Sequence, residues 1–459
     1  MSTDTTSKTT WKFAREFWYA NVMELFERAA YYGFFIVLTL YLTDIVGFTD
    51  METGIVAGIF FAGIYFLPPF VGALVDKIGF KNGLIVAFSL LTIGYTLLGL
   101  FHAKLLVILF LIILLIGASF IKPLITGTVA KVTNEVNRAR GYSLFYWVVN
   151  IGAFSGKTFV PYIRQGIGLS YVNYFSAAMS LCGLLFAIFL FKQVDNTSES
   201  KSLRDVGNSL VKIFTTPRLI ILTLIVAGFW TIQHQLYATM PKYVIRLLGE
   251  SARPEWLANV NPLVVVIFVV FVTQWMRKKT AVTSMMFGML LMPFSALAMA
   301  FTQGIGTGNI DIFGFFSLHP VTLMMIIGIS IQGLAECFIS PRFLEYFSLQ
   351  APKGEEGVYL GFSHLHSFFS ALIGFFMSGF LLDAYCPDPK TLLSADLLER
   401  VNLEGIDPVS LLTEAQKVTY YGDAHIIWYY FVAIGLTAAI ALFIFRIVTQ
   451  RNDAKKALA

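Results

Sequence analysis

Charged residues are scarce in this chain of 459 residues: Asp, Glu, Lys and Arg make up 13% of it, whereas apolar residues make up 57%. A soluble globular protein carries about 25% charged residues, so this chain has too few polar side chains to coat soluble domains. The net charge of +5 is small and does not indicate nucleic acid as a partner. We therefore expect an integral membrane protein.

Cysteine is also rare, and the chain lacks the usual signatures of catalysis. Cys182, Cys337 and Cys386 are scattered, with no CxxC pair and no metal-ligand spacing. There is no glycine-rich phosphate loop and no clear set of nucleophile, histidine and acid. We predict a transporter rather than an enzyme, with no cofactor, no metal and no use of ATP.

Long apolar runs are abundant. A bilayer core of about 30 Å needs about 20 apolar residues in a helix, and the runs predict an all-α membrane protein with twelve transmembrane helices. The predicted helices lie near residues 17–43, 53–74, 82–101, 105–130, 142–163, 171–191, 217–248, 257–276, 281–302, 320–349, 358–385 and 425–447.

The distribution of Lys and Arg predicts the orientation. With the amino terminus inside, cytoplasmic segments hold 22 of the 33 Lys and Arg residues and outer segments hold 8. Cytoplasmic segments are the positively charged ones in membrane proteins. We expect a multi-pass protein of the cell (inner) membrane with both termini in the cytoplasm.

Two connecting segments are long. The inner one, near 192–216, separates a six-helix lobe (1–191) from a second one (217–459). Its apolar residues have the spacing of an amphipathic helix on the membrane surface; they are Leu203, Val206, Leu210 and Ile213. The outer one, 386–424, is acidic with short helical patterns, which fit either a small ordered cap or a disordered connector.

Helix 1 contains Glu24, Glu27 and Arg28 at membrane depth, where each ionisable group costs about 2.5–3.5 kcal/mol. Glu24 and Arg28 are four residues apart, so the carboxylates can pair with the guanidinium. One Arg cannot balance two carboxylates, which makes one of them a candidate for binding a proton. The alternative is a static salt bridge that fixes helix packing.

Two more helices carry a buried charge beside a proline. Lys122 precedes Pro123 in helix 4, and a buried Lys can lose its proton readily. Glu336 in helix 10 is followed by Pro341, which removes a helix hydrogen bond and should kink or hinge the helix. Alternatively, Lys122 and Glu336 each serve only as the partner in a buried ion pair and have no role in transport.

Lys157 is the fourth charge at membrane depth. It lies in helix 5, seven residues after Asn150 and on the same face. Either Lys157 faces a central cavity, or its long side chain snorkels to the membrane interface.

The loop after helix 2 has the sequence Gly72-Ala-Leu-Val-Asp76-Lys77-Ile-Gly79-Phe-Lys81. It resembles the G-x-L-x-D-[RK]-x-G-[RK] loop of major facilitator transporters, whose fold of two six-helix lobes agrees with the predicted helices. Asp76 and the basic residues can make contacts between helix ends that form and break during transport. A turn with basic anchors would explain Lys77 but not Asp76.

Further motifs resemble one family more narrowly, the proton-dependent oligopeptide transporters (the peptide transporter, or POT, family). Its ExxER signature is matched by Glu24-x-x-Glu27-Arg28, followed by Tyr31-Tyr32-Gly33. The other matches occur in order along the chain: Ile121-Lys122-Pro123, Phe145-Tyr146-x-x-x-Asn150-Ile-Gly-Ala-Phe154, Asn261-Pro262-Leu263 and Glu336-x-x-x-Ser340-Pro341.

The resemblance implies proton-coupled uptake of di- and tripeptides by alternating access, by a protein that we expect to be monomeric in the bilayer. In the family, the residue matching Glu336 helps to hold the peptide amino group. The residues matching Glu24, Glu27, Arg28 and Lys122 act in proton coupling, and those matching Tyr31, Tyr32, Tyr65, Asn150 and Asn261 line the substrate site.

The chain departs from the family at several positions. Phe35 stands where the family has a second Arg on helix 1, and His234 stands where it has a Glu on helix 7. We hypothesise that Lys157 supplies the missing positive charge and that His234 supplies a titratable group. The family's helix 11 Trp falls at or beside Ser363 or His364. His364 and His366 point about 200° apart on a helix, so at most one faces the cavity.

Two other functions remain open. One is a different major facilitator function, either export or import of another small organic anion. The other is a sensor or scaffold that does not transport, which the costly buried charges of helices 1, 4 and 10 disfavour.

Overall fold

A computed structural model describes residues 12–71, 78–133, 137–193, 203–303, 308–312, 314, 316–350 and 362–458. The chain is helical almost throughout. The first six long helices are α1 (Arg15–Phe35), α2 (Asp50–Phe66), α3 (Phe80–Leu100), α4 (Lys104–Val132), α5 (Arg138–Gly166) and α6 (Tyr171–Leu185). The next six are α7 (Pro217–Gln233), α8 (Val260–Met276), α9 (Ala281–Ala300), α10 (Pro320–Gln350), α11 (Leu365–Tyr385) and α12 (Ile426–Leu458).

These are the twelve transmembrane helices that the apolar runs predict. Within the described ranges, nine helical spans are long and apolar enough to cross a membrane, and α1 with its continuation makes a tenth. The remaining two are α2, which has 17 residues, and α5, which carries more polar side chains. All of them bury one face and leave large apolar side chains exposed on another, as lipid contact requires.

Shorter elements complete several of these spans. After a 44° bend, α1 continues through Leu38–Leu40 into a π-helical turn, Tyr41–Ile45. α6 ends in a π-helical turn at Phe186–Leu190, and α7 is followed by Gln235–Ala238 and Met240–Leu248. Pro254–Leu257 precedes α8. Between α9 and α10, β1 (Ile310–Ile312) and β2 (Phe316–Leu318) pair antiparallel, with Asp311 opposite Ser317.

The described residues form two compact units. The first comprises Met1–Phe35 and Phe66–Asn208, and the second comprises Ile36–Tyr65 and Ser209–Ala459. The lobes 1–191 and 217–459 and the linker 192–216 remain predictions. A helix at Leu203–Phe214 within that linker agrees with its amphipathic sequence pattern.

In the first unit, glycines let α5 pack directly on α1. A Cβ atom on Gly152 would lie 2.7 Å from the Cβ of Arg28 and 2.8 Å from the carbonyl of Leu25. One turn later, a Cβ on Gly156 would meet the backbone of Ala29. This G-x-x-x-G spacing is typical of close helix pairs in membranes. It brings the polar residues of α1 and α5 together.

In the second unit, a similar contact joins α2 to α11. A Cβ on Gly58 would lie 3.3 Å from the Cβ of Phe375, and one on Gly54 would meet the carbonyl of the same residue. Gly379 likewise touches the backbone at Asp50. The first half of α2, from Asp50 to Gly58, therefore packs against α11 through backbone contacts, and segment 36–65 belongs to this unit.

Segment 386–424 is an ordered cap, the first of the two alternatives that its sequence left open. It contains the helices Ala395–Glu404 and Glu414–Tyr421 and the 3₁₀ turns Pro389–Leu392 and Pro408–Leu411. Thr413 and Gln416 form a reciprocal capping box that starts the second helix.

Asp407 fixes this cap to the segment after α7. Its carboxylate accepts hydrogen bonds from the backbone N–H of Glu250, at 2.8 Å, and of Val409, at 2.9 Å. Gly249, with φ of +89°, brings the backbone directly against the Asp407 side chain. The cap is therefore held by specific polar contacts.

Candidate functional site

The first unit contains the predicted ionic cluster of α1. The Nε atom of Arg28 lies 3.2 Å from Oε1 of Glu24, and the guanidinium also contacts Glu27. All three side chains are buried. The pairing expected from their spacing is present, and Lys122 on α4 lies close enough to interact electrostatically with all three groups.

Two tyrosines extend this cluster along α1. The guanidinium carbon of Arg28 lies 5.0 Å from the ring centre of Tyr31 and 5.9 Å from that of Tyr32. Phe35 is buried and stacks on Tyr31 at 4.8 Å between ring centres. The position that carries an Arg in the peptide transporters is therefore apolar and packed in this chain.

Lys157 belongs to the same face of the first unit. Its side chain is 1% exposed, and its Nζ lies 5.5 Å from the ring centre of Tyr32. Snorkelling to the interface is therefore wrong, because the ammonium lies against an aromatic ring inside the unit. Gly156 makes this possible by bringing α5 against α1. Asn150, two turns earlier, donates its side-chain N–H to the carbonyl of Tyr146 at 2.8 Å.

The second unit builds a polar site around Glu336 of α10. Gln233, at the end of α7, donates to Oε2 of Glu336 at 3.0 Å, and Asn261 of α8 donates to the same oxygen at 3.3 Å. Three helices thus meet at one carboxylate. Sequence reasoning named Glu336 and Asn261 but missed Gln233, although its polar side chain next to His234 in an apolar helix was a usable signal.

Five side chains of the second unit form a closed series of neighbouring rings, which we call the histidine–aromatic cluster: Tyr65, Trp230, His234, His364 and His366. Trp230 and His366 stack at 5.2 Å, and the other four neighbouring pairs have ring centres 6.1–6.4 Å apart. Half of the six histidines in the chain are gathered here.

Two of these histidines are held by serines of α11. Nδ1 of His234 lies 3.2 Å from Oγ of Ser370, and Nδ1 of His366 lies 2.9 Å from Oγ of Ser367. Both imidazoles are buried, whereas His364 is partly exposed. His364 caps α11 instead of lying within it, so the two rings lie 6.1 Å apart and do not point to opposite sides as expected from helix geometry. Among the described residues, no group of His, Cys, Asp and Glu has the arrangement of a metal site.

A second ionic cluster was not found from the sequence. Asp50, at the start of α2, is buried 2.5 Å from Nζ of Lys242 and accepts from both terminal nitrogens of Arg246, at 2.6 and 2.9 Å. Arg246 also donates to the carbonyl of Cys386 at 2.6 Å. Lys242 and Arg246 are two of the eight residues that the charge count places in outer segments, and the structure buries both side chains. Their spacing of four residues was the only sequence signal.

The remaining predicted positions are the conformational ones. Gly72, Asp76 and Lys77 lie outside the described residues. Pro341 lies inside α10, which continues as one helix from Pro320 to Gln350.

Comparison with known proteins identifies the superfamily. The Major Facilitator Superfamily profile matches residues 22–318 of the chain. The chain belongs to the Major Facilitator Superfamily. A similar protein, "Multidrug resistance protein MdtH" of Proteus mirabilis (strain HI4320), is 21% identical over 76% of this chain and 84% of its own length.

Solved structures share the fold over nearly the whole length. The POT family transporter PepTSo aligns with a TM-score of 0.71 and 16% identity, covering 96% of this chain and 99% of its own. Tetrameric PepTSo2 aligns with a TM-score of 0.69 and 17% identity, covering 96% and 99%. The predicted major facilitator fold is confirmed, and this chain is a divergent member with the architecture seen in POT transporters.

Proposed function

We propose that the protein is a proton-coupled symporter that imports di- or tripeptides, or a related small zwitterionic solute, by alternating access. The observation that carries the proposal is the buried cluster of Glu24, Glu27 and Arg28 on α1. Superfamily membership and the fold shared with POT transporters support the transport class, and the ordered set of POT-like motifs supports the substrate class.

The proton-coupling role follows from the charge balance of this cluster. Two carboxylates contact one guanidinium, so full ionisation leaves one negative charge that is not neutralised within the cluster. A proton on either carboxylate removes this imbalance. A charged ammonium on Lys122, which lies near the cluster, would balance the same negative charge that a proton balances. Proton loading and the state of Lys122 are therefore coupled.

The substrate role rests on complementary charges. The Glu336 carboxylate, positioned by Gln233 and Asn261, suits an ammonium group. The Lys157 ammonium suits a carboxylate. Tyr31, Tyr32, Tyr65, Asn150 and His234 supply further hydrogen-bonding or aromatic contacts. Each of these two charges is complementary to one end of a zwitterion.

Uptake into proteoliposomes under an imposed pH gradient tests the proposal. We expect accumulation of dialanine only when the outer solution is more acidic, and loss of this uptake in Glu24→Gln. Thr96→Val, in α3 and outside the polar cluster, is the control and should transport normally. Absence of any peptide-stimulated proton flux in the wild type would reject the proposal.

A second candidate is export, or import of another organic anion, on the same scaffold. The similarity to a protein named for multidrug resistance favours it, as does the histidine–aromatic cluster, which can contact flat organic molecules. Reversing the pH gradient separates the two directions. A thermal-shift screen of peptides, organic anions and aromatic drugs separates the substrates.

We also propose location in the inner membrane with both termini in the cytoplasm, supported by the Lys and Arg asymmetry, and a monomeric functional unit. Reporter fusions at each terminus test the orientation. Light scattering of the detergent-solubilised protein tests the oligomeric state, for which tetrameric PepTSo2 provides the contrasting example.

A further inference from the structure

α10 carries a stripe of polar side chains through an otherwise apolar region. Gln332, Glu336 and Ser340 follow one another at four-residue intervals, so they lie on one face of the helix. The stripe extends over eight residues, which is about 12 Å of helix at 1.5 Å per residue. That length is more than a third of a bilayer core of about 30 Å.

Several buried polar atoms along this stripe have no hydrogen-bond partner among the described residues. Gln332 is 0% exposed, and neither its Nε2 nor its Oε1 has a partner. The same holds for Oγ of Ser340 and Oε1 of Gln233, both buried atoms. More than 90% of buried polar groups in proteins are hydrogen-bonded. Four such atoms around one carboxylate therefore need a common explanation.

Pro341 adds one more acceptor at the same level of α10. Because proline has no N–H, the helix cannot supply the usual donor to the carbonyl of Cys337, which directly follows Glu336. Ordered water with two to four hydrogen bonds is the usual partner of such groups. A substrate is too large to reach Gln332, which is fully enclosed.

We propose that Gln332 and Ser340 position a file of water molecules that carries protons to and from Glu336. The inference rests on the proposed proton-coupled transport and adds a proton site in the second unit. A water held by Gln332 gives a proton to the Glu336 carboxylate and takes one from the next water, so no charge is created or lost along the file. The Ser340 hydroxyl both donates and accepts, and so continues the path.

The titratable groups around Glu336 lie on three elements. α8 and α9 contain none. α7 contributes Arg218 near its start and His234 just after its end, and α10 itself contributes Cys337, Tyr346 and the ion pair of Arg342 with Glu345. Glu255, in the segment Pro254–Leu257 that contacts α10, is buried. A proton arriving through the file neutralises the carboxylate to which a substrate ammonium would bind. Proton arrival at Glu336 and substrate release become linked.

The test replaces the water-holding groups with apolar ones of similar size. In Gln332→Leu and Ser340→Ala we expect proton-driven dialanine uptake to fall about tenfold or more, since a positioned proton transfer is worth about 10²–10⁴ in rate. Exchange of dialanine across the membrane without a pH gradient should stay within about twofold. The melting temperature should not fall, because the variants remove hydrogen bonds to water only and none to another protein group.

Ser180→Ala is the matched control, since its Oγ on α6, in the first unit, is equally buried and has no partner among the described residues. It should transport normally. Water in the file is detected independently by hydroxyl-radical labelling of Cys337, with buried Cys386 as the internal reference. Labelling of Cys337 should exceed that of Cys386 in the wild type and fall in Gln332→Leu.

The outcomes separate this inference from the proposed function. Proton-driven uptake that is normal in both variants would overturn the water file, as would equal loss of driven uptake and exchange, which indicates a structural role. If Gln332→Leu does not fold, Ser340→Ala and the wild-type labelling ratio decide the question. If the wild type itself shows no proton-driven uptake, the proposed function fails, whereas strong labelling of Cys337 would still support the bound water.

Discussion

Replacing Asp50 with Asn removes the carboxylate that lies between Lys242 and Arg246, while keeping the shape of the side chain. Both cations stay buried, since their side chains are 2% and 5% exposed. Breaking a buried ion pair by removing one partner costs about 3–5 kcal/mol, because a buried charge is left without compensation. Two cations depend on Asp50, so we expect the upper end of this range.

The assay is thermal unfolding of the purified protein in detergent. Unfolding entropy is about 2.1 cal/mol/K per residue, which over 459 residues makes about 1 kcal/mol equivalent to about 1 °C. Asp50→Asn should therefore lower the melting temperature by about 4–5 °C. The triple variant with Lys242→Met and Arg246→Met removes all three charges and should recover most of the loss.

Two results would refute this reasoning. A shift below about 1 °C for Asp50→Asn would mean that the cluster is worth no more than a surface ion pair. A triple variant less stable than Asp50→Asn would mean that the cations contribute through contacts other than their charge, such as the hydrogen bond from Arg246 to the cap.

Three further predictions concern the transport site. Lys157→Ala should weaken binding of a zwitterionic substrate by about 1.5–3 kcal/mol, the value of a hydrogen bond to a charged group; calorimetric titration that gives unchanged affinity contradicts the cationic role. Glu336→Gln should abolish the preference for a free amino group, seen as equal competition by dialanine and N-acetyl-dialanine in an uptake assay. Gly156→Leu should prevent folding or transport, because a side chain there meets the backbone of Ala29. Gly166→Leu is its control, because nothing lies within 4 Å of a Cβ at that position. If the two variants gave identical profiles in fluorescence size-exclusion chromatography, this would argue against close packing of α5 on α1.

The bilayer made much of the fold predictable. A membrane helix must be long and apolar, so runs of residues locate the helices from local sequence alone. The spacing of Glu24 and Arg28 likewise predicts their pairing, because residues four apart meet on one helix.

Contacts between distant parts of the chain were not predictable in this way. Asp50 and Arg246 are 196 residues apart, and no local pattern relates them. The partnership of Gln233 with Glu336 also depends on how α7 packs on α10. Lys157 left two alternatives open because its burial depends on Gly156, whose effect appears only when α5 lies against α1.

The ionic cluster of α1 has a consequence for energy supply. With both carboxylates ionised, Glu24, Glu27 and Arg28 sum to one negative charge, and binding one proton brings the sum to zero. In the proposed symport, a solute with no net charge that travels with this proton moves one positive charge across the membrane in each cycle. Each charge that crosses the full electric field gains about 2.3 kcal/mol per 100 mV. The resting voltage alone could then drive accumulation of about fiftyfold, even where the two solutions have the same pH.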